Sequence, residues 1–491
     1  MDEEEGKSTG SEDPMADASR KSLMEHPVET SRNPCKFPDL IFGLLWISAV
    51  ISCLAISIEY GTDIGAANYH DADKRKALRK IMKLFLITFF FALIVAQILL
   101  HIMMRFGGSI IHVSFLCIEI LLGGTGIILI KELERWFFGC FFLVLCLLTL
   151  TFHCMSFARI RNAAVTLHVG CAIVLTYPIL QLTALLFSIL AVGFFFLHTV
   201  AILAFYNYKQ SRNEDTFKEL VLPIFILIFL SFWSQQVLKY IVIATSASTA
   251  QAWWQGQYPS ISQHPALNGL ARNCTYNLGA ISFGAVFVSI IETIVLIIQY
   301  FKRLSKASPG NCCLGCFLSC IQCCLVCCEA ILDYINKYAF VYVGIWGYSY
   351  LWAGKQVVTL FAHHGFVVVG ADFFIDFVFF MNSFIIGLVS AGFGILLVEI
   401  GPNSWDEHTT SPKLVAALVS GIAGLFIGTI VFSVVDGANK SVMVLFSENP
   451  HVLEITHPDE FKRLSASWSL LGQDIKAGED STDDSADQND A

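Results

Sequence analysis

Between Phe37 and Val435 the chain carries about ten stretches of roughly twenty mostly apolar residues, and this constrains its fold more than anything else in it. A helix rising 1.5 Å per residue needs about 20 such residues to cross a hydrocarbon core of about 30 Å. Only helices and closed barrels satisfy their backbone polar groups in lipid. Runs of this length select helices. The expected fold is all-α: a polytopic integral membrane protein of about ten transmembrane helices with both termini cytosolic.

Composition agrees. Of 491 residues 55% are hydrophobic and 14% charged, against about 25% charged in water-soluble domains. The 41 Phe suit lipid-facing helices. The net charge of −9 comes from acidic residues crowded into the two ends, and no basic nucleic-acid footprint is present. Residues 1–36 are acidic and apolar-poor, so a disordered cytosolic tail is expected. They lack a basic region followed by a short apolar core, which leaves the first span as an uncleaved signal anchor.

The apolar runs place spans at 37–58, 83–104, 109–130, 137–157, 163–182, 184–206, 219–243, 279–301, 367–398 and 413–435. Pro178 and Gln181 divide the fifth from the sixth. Eight spans thus fall in 37–301 and two in 367–435, around a cytosolic or interfacial Cys-rich segment at 302–366. A cytosolic tail at 436–491 ends in an acidic, disordered run. Most loop lysines and arginines favour a cytosolic N-terminus. The first loop, with Lys74, Arg75, Lys76, Arg79, Lys80 and Lys83, disagrees. Asn273-Cys274-Thr275 is an N-glycosylation pattern, and a cytosolic N-terminus places Asn273 outside.

Eight cysteines between Cys312 and Cys328 are the densest chemical signal. Steps of three and four put Cys313, Cys316, Cys320, Cys323 and Cys327 on one helical face. Three readings stay open: a palmitoylated juxtamembrane face, plain packing, or metal or redox sensing. The run lacks His and a chain reversal between ligand pairs, which weighs against zinc.

Charges inside spans are costly and mark functional candidates. Glu119, Lys239 and Glu292 lie deep in their stretches, and Asp372 and Asp376 are one turn apart. Two close carboxylates repel, so that pair could hold a proton. Glu119, Asp372 and Asp376 are therefore candidates for charge coupling, and Lys239 either snorkels or pairs with a carboxylate. Aromatic faces bind quaternary ammonium groups. Trp233, beside Gln235 and Gln236, is the best placed of these, ahead of Trp253 and Tyr348, which also suit an interfacial belt. Glycines at 387, 392, 394, 421, 424 and 428 are expected to pack helices closely. Walker, dinucleotide and nucleophile-elbow motifs are not found, so neither an enzyme nor a cofactor is expected.

Several stretches resemble the choline transporter-like family of solute carriers, especially its fungal and plant-type members. Phe232 to Val237, running on to Trp253-Trp254, is similar to that family's Trp-Thr-x-x-Val…Trp-Tyr segment. Tyr276 to Phe287 resembles its Tyr-x-x-Gly-Ser stretch, and Tyr334 to Phe340 with Gly347 to Tyr350 resembles the region after its Cys-rich stretch. Asp372 and Asp376 match its Asp-x-x-x-Asp, and Phe446 to Pro450 with His457-Pro458 its C-terminal element. The likeness covers about 219–463. It implies a ten-span carrier of choline or ethanolamine at the plasma membrane or an organelle. Asn382-Ser383 replaces the Gly-Lys of many members, the first loop is short, and Lys239 places a cation where one is unfavourable for choline.

The resulting expectation is a secondary, alternating-access transporter in the lipid bilayer. Its substrate would be a small organic cation bound by Trp233, Gln236, Glu292, Trp253 and Tyr348. A carrier or channel for another solute, or a membrane organiser anchored by an acylated Cys helix, are the alternatives. The sequence leaves the oligomeric state open.

Overall fold

A computed structural model of the chain describes residues 37–66, 72–131, 136–211, 220–256, 264–306, 312–400 and 412–468. The acidic tail at 1–36 and the residues beyond 468 lie outside the described residues. The regular elements are helices: α1 (Leu40–Ala66), α2 (Ala72–Lys131), α3 (Trp136–Met155), α4 (Phe157–Thr176), α5 (Ile179–Ser211) and α6 (Leu222–Trp254). They continue as α7 (Pro265–Thr275), α8 (Leu278–Lys306), α9 (Cys312–Trp346), α10 (Tyr350–Ile400), α11 (Pro412–Glu448) and α12 (Pro450–Thr456). A last helical stretch covers 458–468. Among the described residues 9 helices are long and apolar enough to cross a membrane.

The boundaries follow local chemistry. Proline, whose missing N–H costs nothing in a first helical turn, opens α6, α7 and α12. Pro178 ends α4, because the residue before a proline is pushed out of helical geometry; Tyr177 has φ −120° and ψ 81°. Gly347, at φ +72°, makes the turn between α9 and α10 that side chains with a Cβ resist.

Spans two to six are arranged differently from five alternating crossings. The second and third are merged into α2, with Phe106 as its non-helical residue. Helices α3, α4 and α5 then run one after another antiparallel to α2. His153 meets Glu119, Ala164 meets Gly108, Gln181 meets Met104, and Phe196 meets Phe85. Only Ser156 separates α3 from α4. The 60 residues of α2 have a contour of ~90 Å, about three times a hydrocarbon core. The two arms must therefore tilt or bend where they lie in lipid.

The second half forms the dense core. Helices α6, α9 and α11 run parallel: Tyr240 lies on Phe340, Gly437 on the Ile243 carbonyl, and Tyr338 on Met443. Helices α8 and α10 run against them. The run Thr245 to Thr249 is buried because small side chains let two helices approach α6 closely. A Cβ at Gly344 of α9 would strike the Ala244 backbone, and one at Gly437 of α11 that of Ile243. Gly387, Gly394, Gly424 and Gly428 likewise join α10 to α11, whereas Gly392 has open space around it.

Both described termini lie at one end. The Asp39 carboxylate accepts from the Tyr350 N–H at 2.9 Å, and Pro38 and Asp39 pack on Gly279. The Trp254 indole donates to the Asn449 carbonyl, and Tyr342 to Glu448. This corrects the placement of Asn273. Its helix α7 adjoins Gly279, so it shares an end with Asp39 and cannot lie opposite it. The segment 302–366, expected to be interfacial, also differs: Gly315–Trp346 is long and apolar enough to cross a membrane. Its second half, Tyr338 to Ile345, is core. The tenth apolar run likewise continues as helix through Glu448.

Candidate functional site

Where α9, α10 and α11 meet, a buried lysine gathers three aspartates. Lys440 is fully buried, with its Nζ 3.0 Å from Asp372 Oδ1, 3.0 Å from Asp376 Oδ1, and bonded to Asp436 one turn before it. Lys337 extends the group: its Nζ lies 3.4 Å from Asp436, 3.7 Å from Asp376 and 3.9 Å from Asp333. Asp333 in turn binds Lys239 Nζ at 3.0 Å and accepts from the Tyr240 hydroxyl at 2.5 Å. Tyr338 donates to Asp372 at 3.0 Å, and its ring lies 5.7 Å from Lys440 Nζ.

Four carboxylates thus face three ammonium groups, leaving a surplus of one negative charge when all are ionised. Low-dielectric surroundings strengthen such attractions, and also the cost of any unmatched charge. The three aspartates around Lys440 lie close enough together to ligate a metal, but the ammonium occupies the space between them.

One step away, on α6 and α8, a carboxylate has no such partner. Glu292 Oε1 accepts from Gln236 Nε2 at 2.7 Å, while Oε2 is shielded from solvent and has no hydrogen-bond partner. Glu329 and Asp333 add to the negative field there. Lys239 is held by Asp333, so the cation expected to disfavour a positively charged solute is neutralised by its own partner. Trp233, 5% exposed, donates its indole N–H to the Ser282 carbonyl at 2.9 Å and stacks on Phe229. Trp233 and Gln236 are one turn apart on α6, and both reach across to α8.

The other sequence candidates are elsewhere. Trp253 lies 17 residues beyond Gln236, about 25 Å along α6. Its ring stacks on His457 at 3.9 Å, so it belongs to the terminal end and not with Glu292. Tyr348 stacks on Trp346 at that same end. Glu119 joins a separate polar chain on the α2–α3 arm, bonded at 3.0 Å to His153, which meets His112 at 3.0 Å. Of the sequence candidates, Asp372 and Asp376 come together around Lys440, and Gln236 with Glu292.

Asn273 is corrected further. Its side chain is fully buried, donates to Ser248 and Thr245, and accepts from Asn277 at 2.7 Å. In this fold the amide is not open to the glycosylation that the Asn-Cys-Thr pattern suggests. Cys316, Cys320, Cys323, Cys324, Cys327 and Cys328 are exposed thiols along α9, and the Cys313 side chain lies outside the described residues.

The charges that complete the network were missed in the sequence: Asp333 and Lys337 fell in the presumed cytosolic segment, and Asp436 and Lys440 just past the last expected span. Each pair is spaced i, i+4, a visible signal of one helical face.

A family model described as "Plasma-membrane choline transporter" matches residues 140–451. The chain belongs to this family. Similar proteins include Protein PNS1 of Debaryomyces hansenii, 23% identical over 89% of this chain and 88% of that one. Protein PNS1 of Candida albicans is 23% identical over 79% and 78%, and that of Candida glabrata 22% over 91% and 85%. Together with its long apolar helices, the family makes this chain an integral, multi-pass membrane transporter.

Proposed function

We propose that this transporter moves a small organic cation, choline or ethanolamine, across the plasma membrane, with Glu292 as the countercharge. The observation that carries the reading is the free, buried Oε2 of Glu292, in a chain whose nearby Lys239 is already neutralised. A quaternary ammonium offers no hydrogen-bond donor, so a free carboxylate and an aromatic face such as Trp233 suit it better than matched polar groups. The tight packing of Trp233 is that of a closed state, which alternating access would open to each side in turn. The surplus negative charge around Lys440 supplies the coupling element, because a proton or the substrate itself can balance it. An inside-negative membrane potential would then drive entry, at about 2.3 kcal/mol per charge per 100 mV.

Uptake of labelled choline into proteoliposomes tests this. Saturable uptake by the intact protein, lowered at least tenfold by Glu292→Gln, supports it. Unchanged uptake in that variant removes Glu292 from the mechanism. A solute panel in which a zwitterion or anion stabilises the protein and choline does not would select a different substrate.

A further inference from the structure

Between the arms α2 and α5 lies an open cavity of about 690 Å³, whose lining includes none of the charged residues around Lys440. Leu93, Leu185 and Ile189 wall it, and Gln97, His101 and Gln181 bring polar groups to it. The Gln97 amide nitrogen is shielded from solvent and has no hydrogen-bond partner. The Gln181 amide has a thioether acceptor, Met104 Sδ, at 3.7 Å. A buried donor left unpaired costs its full desolvation, so the Gln97 amide calls for an acceptor that the protein does not supply. The Gln181 amide, whose one acceptor is a sulfur and which carries a second N–H, lines the same space. At the rim Ile94 and Ile98 are 61% and 55% exposed, on helices apolar enough to lie in the bilayer. What reaches this opening therefore comes from the lipid phase. Neither lysine nor arginine lines the cavity, which offers nothing to a phosphate.

We propose that the cavity between α2 and α5 holds a membrane lipid, whose single acceptor oxygen is bound by the amides of Gln97 and Gln181. A volume of this size suits a small, mostly apolar ligand with few polar contacts. A sterol hydroxyl and a glycerolipid ester carbonyl share this chemistry. Seated there, either would wedge the α2 arm against α5 just beyond the break at Pro178.

Photocrosslinking to the full-length protein in nanodiscs tests the assignment. The probes are a photoreactive sterol with a free hydroxyl, its 3-deoxy counterpart, and a phosphatidylcholine with a photoreactive acyl chain. Labelling by the sterol or the phosphatidylcholine is expected on peptides covering 90–102 and 181–189, and the probe that labels identifies the source. Gln97→Leu with Gln181→Leu should lower that labelling at least fivefold, and Leu185→Trp, which fills the space, should abolish it. The 3-deoxy sterol should label the intact protein no better than the Gln variant. Equal labelling of the intact protein and the Gln variant, or labelling by neither lipid, overturns the proposal. Crosslinks from these peptides to a second copy of the chain overturn it too, and mark the face as an interface between copies.

Discussion

Lys440 and Asp372 are both fully buried, one on α11 and one on α10, and their charged atoms lie 3.0 Å apart. Neither could be stable there alone. Removing one partner of such a pair leaves an uncompensated charge in a low dielectric, at a cost of about 3–5 kcal/mol. Lys440→Met should therefore lower stability by about that amount. Adding Asp372→Asn should recover part of the loss, because it removes one of the stranded charges. Unfolding of the purified protein in lipid, followed for the single and double variants, checks both. A double variant no better than Lys440→Met would mean that the pair is not energetically coupled.

The Lys239–Asp333 bridge is expected to act on the neighbouring Glu292. Asp333→Asn frees a positive charge close to that carboxylate, and should raise the KM for choline about tenfold, equivalent to ~1.4 kcal/mol. Lys239→Gln in the same background removes the added charge and should bring KM back. Initial rates of choline uptake for both variants give the answer. A KM unchanged by Asp333→Asn would separate the bridge from substrate binding.

The helices were legible because each apolar run is long, and the break at Tyr177–Pro178 because proline forbids helical geometry before it. Asp372 and Asp376 could be singled out by their one-turn spacing. Their partner Lys440 could not, since the 68 positions between it and Asp372 are closed only by packing of α10 on α11. The same limit applies to α9. An alternation of cysteines, Asp333 and Lys337 reads as an interfacial helix until Tyr338 to Ile345 are found in the core. Direction along the bundle was hardest. Hydropathy marks apolar length but not whether consecutive stretches fold back, so α3, α4 and α5 read as separate crossings.

His457 offers a pH handle outside the spans. Burial against Trp253 pushes its pKa below the usual 6.5, while Glu460 pulls the other way, and Thr456 Oγ1 lies 3.1 Å from its Nδ1. The undocked chain thus takes up the proton first as pH falls. Docking of 450–468 should be insensitive to pH above about 6.5 and weaken below it. Hydrogen exchange of these residues at pH 7.5 and at pH 5.5 measures this. His457→Phe keeps a ring on Trp253 and should remove the difference; a difference that persists in this variant would assign it to other groups.

Topology can be read with thiol reagents. Pro38→Cys and Leu267→Cys should react from one face of sealed vesicles, and Lys302→Cys from the other. The reason is that Pro38 packs on Gly279 just beyond α7, while Lys302 lies some 23 residues further down α8 and bonds to Gln322 near the start of α9. Opposite labelling of positions 38 and 267 would contradict the packing of α1 on α8.

Asn273 gives the last test, because its amide is needed inside the fold. It ties α7 to α6 through Ser248 and Thr245, and to the start of α8 through Asn277. Asn273→Leu removes three side-chain hydrogen bonds from the buried contact of α7 with α6 and α8, although Thr245, Ser248 and Asn277 each keep a backbone carbonyl as partner. A loss of thermal stability at about 1 kcal/mol for each bond is therefore expected. Thr275 is exposed and donates to the Ala271 carbonyl. Thr275→Val, which destroys the glycosylation pattern equally well, should be close to neutral. Glycosidase treatment of protein made in a secretory host should leave the mobility of the intact chain unchanged. A mobility shift that Thr275→Val abolishes would show that the amide reaches the glycosylating enzyme before α7 closes over it, and would place this end of the bundle in the lumen.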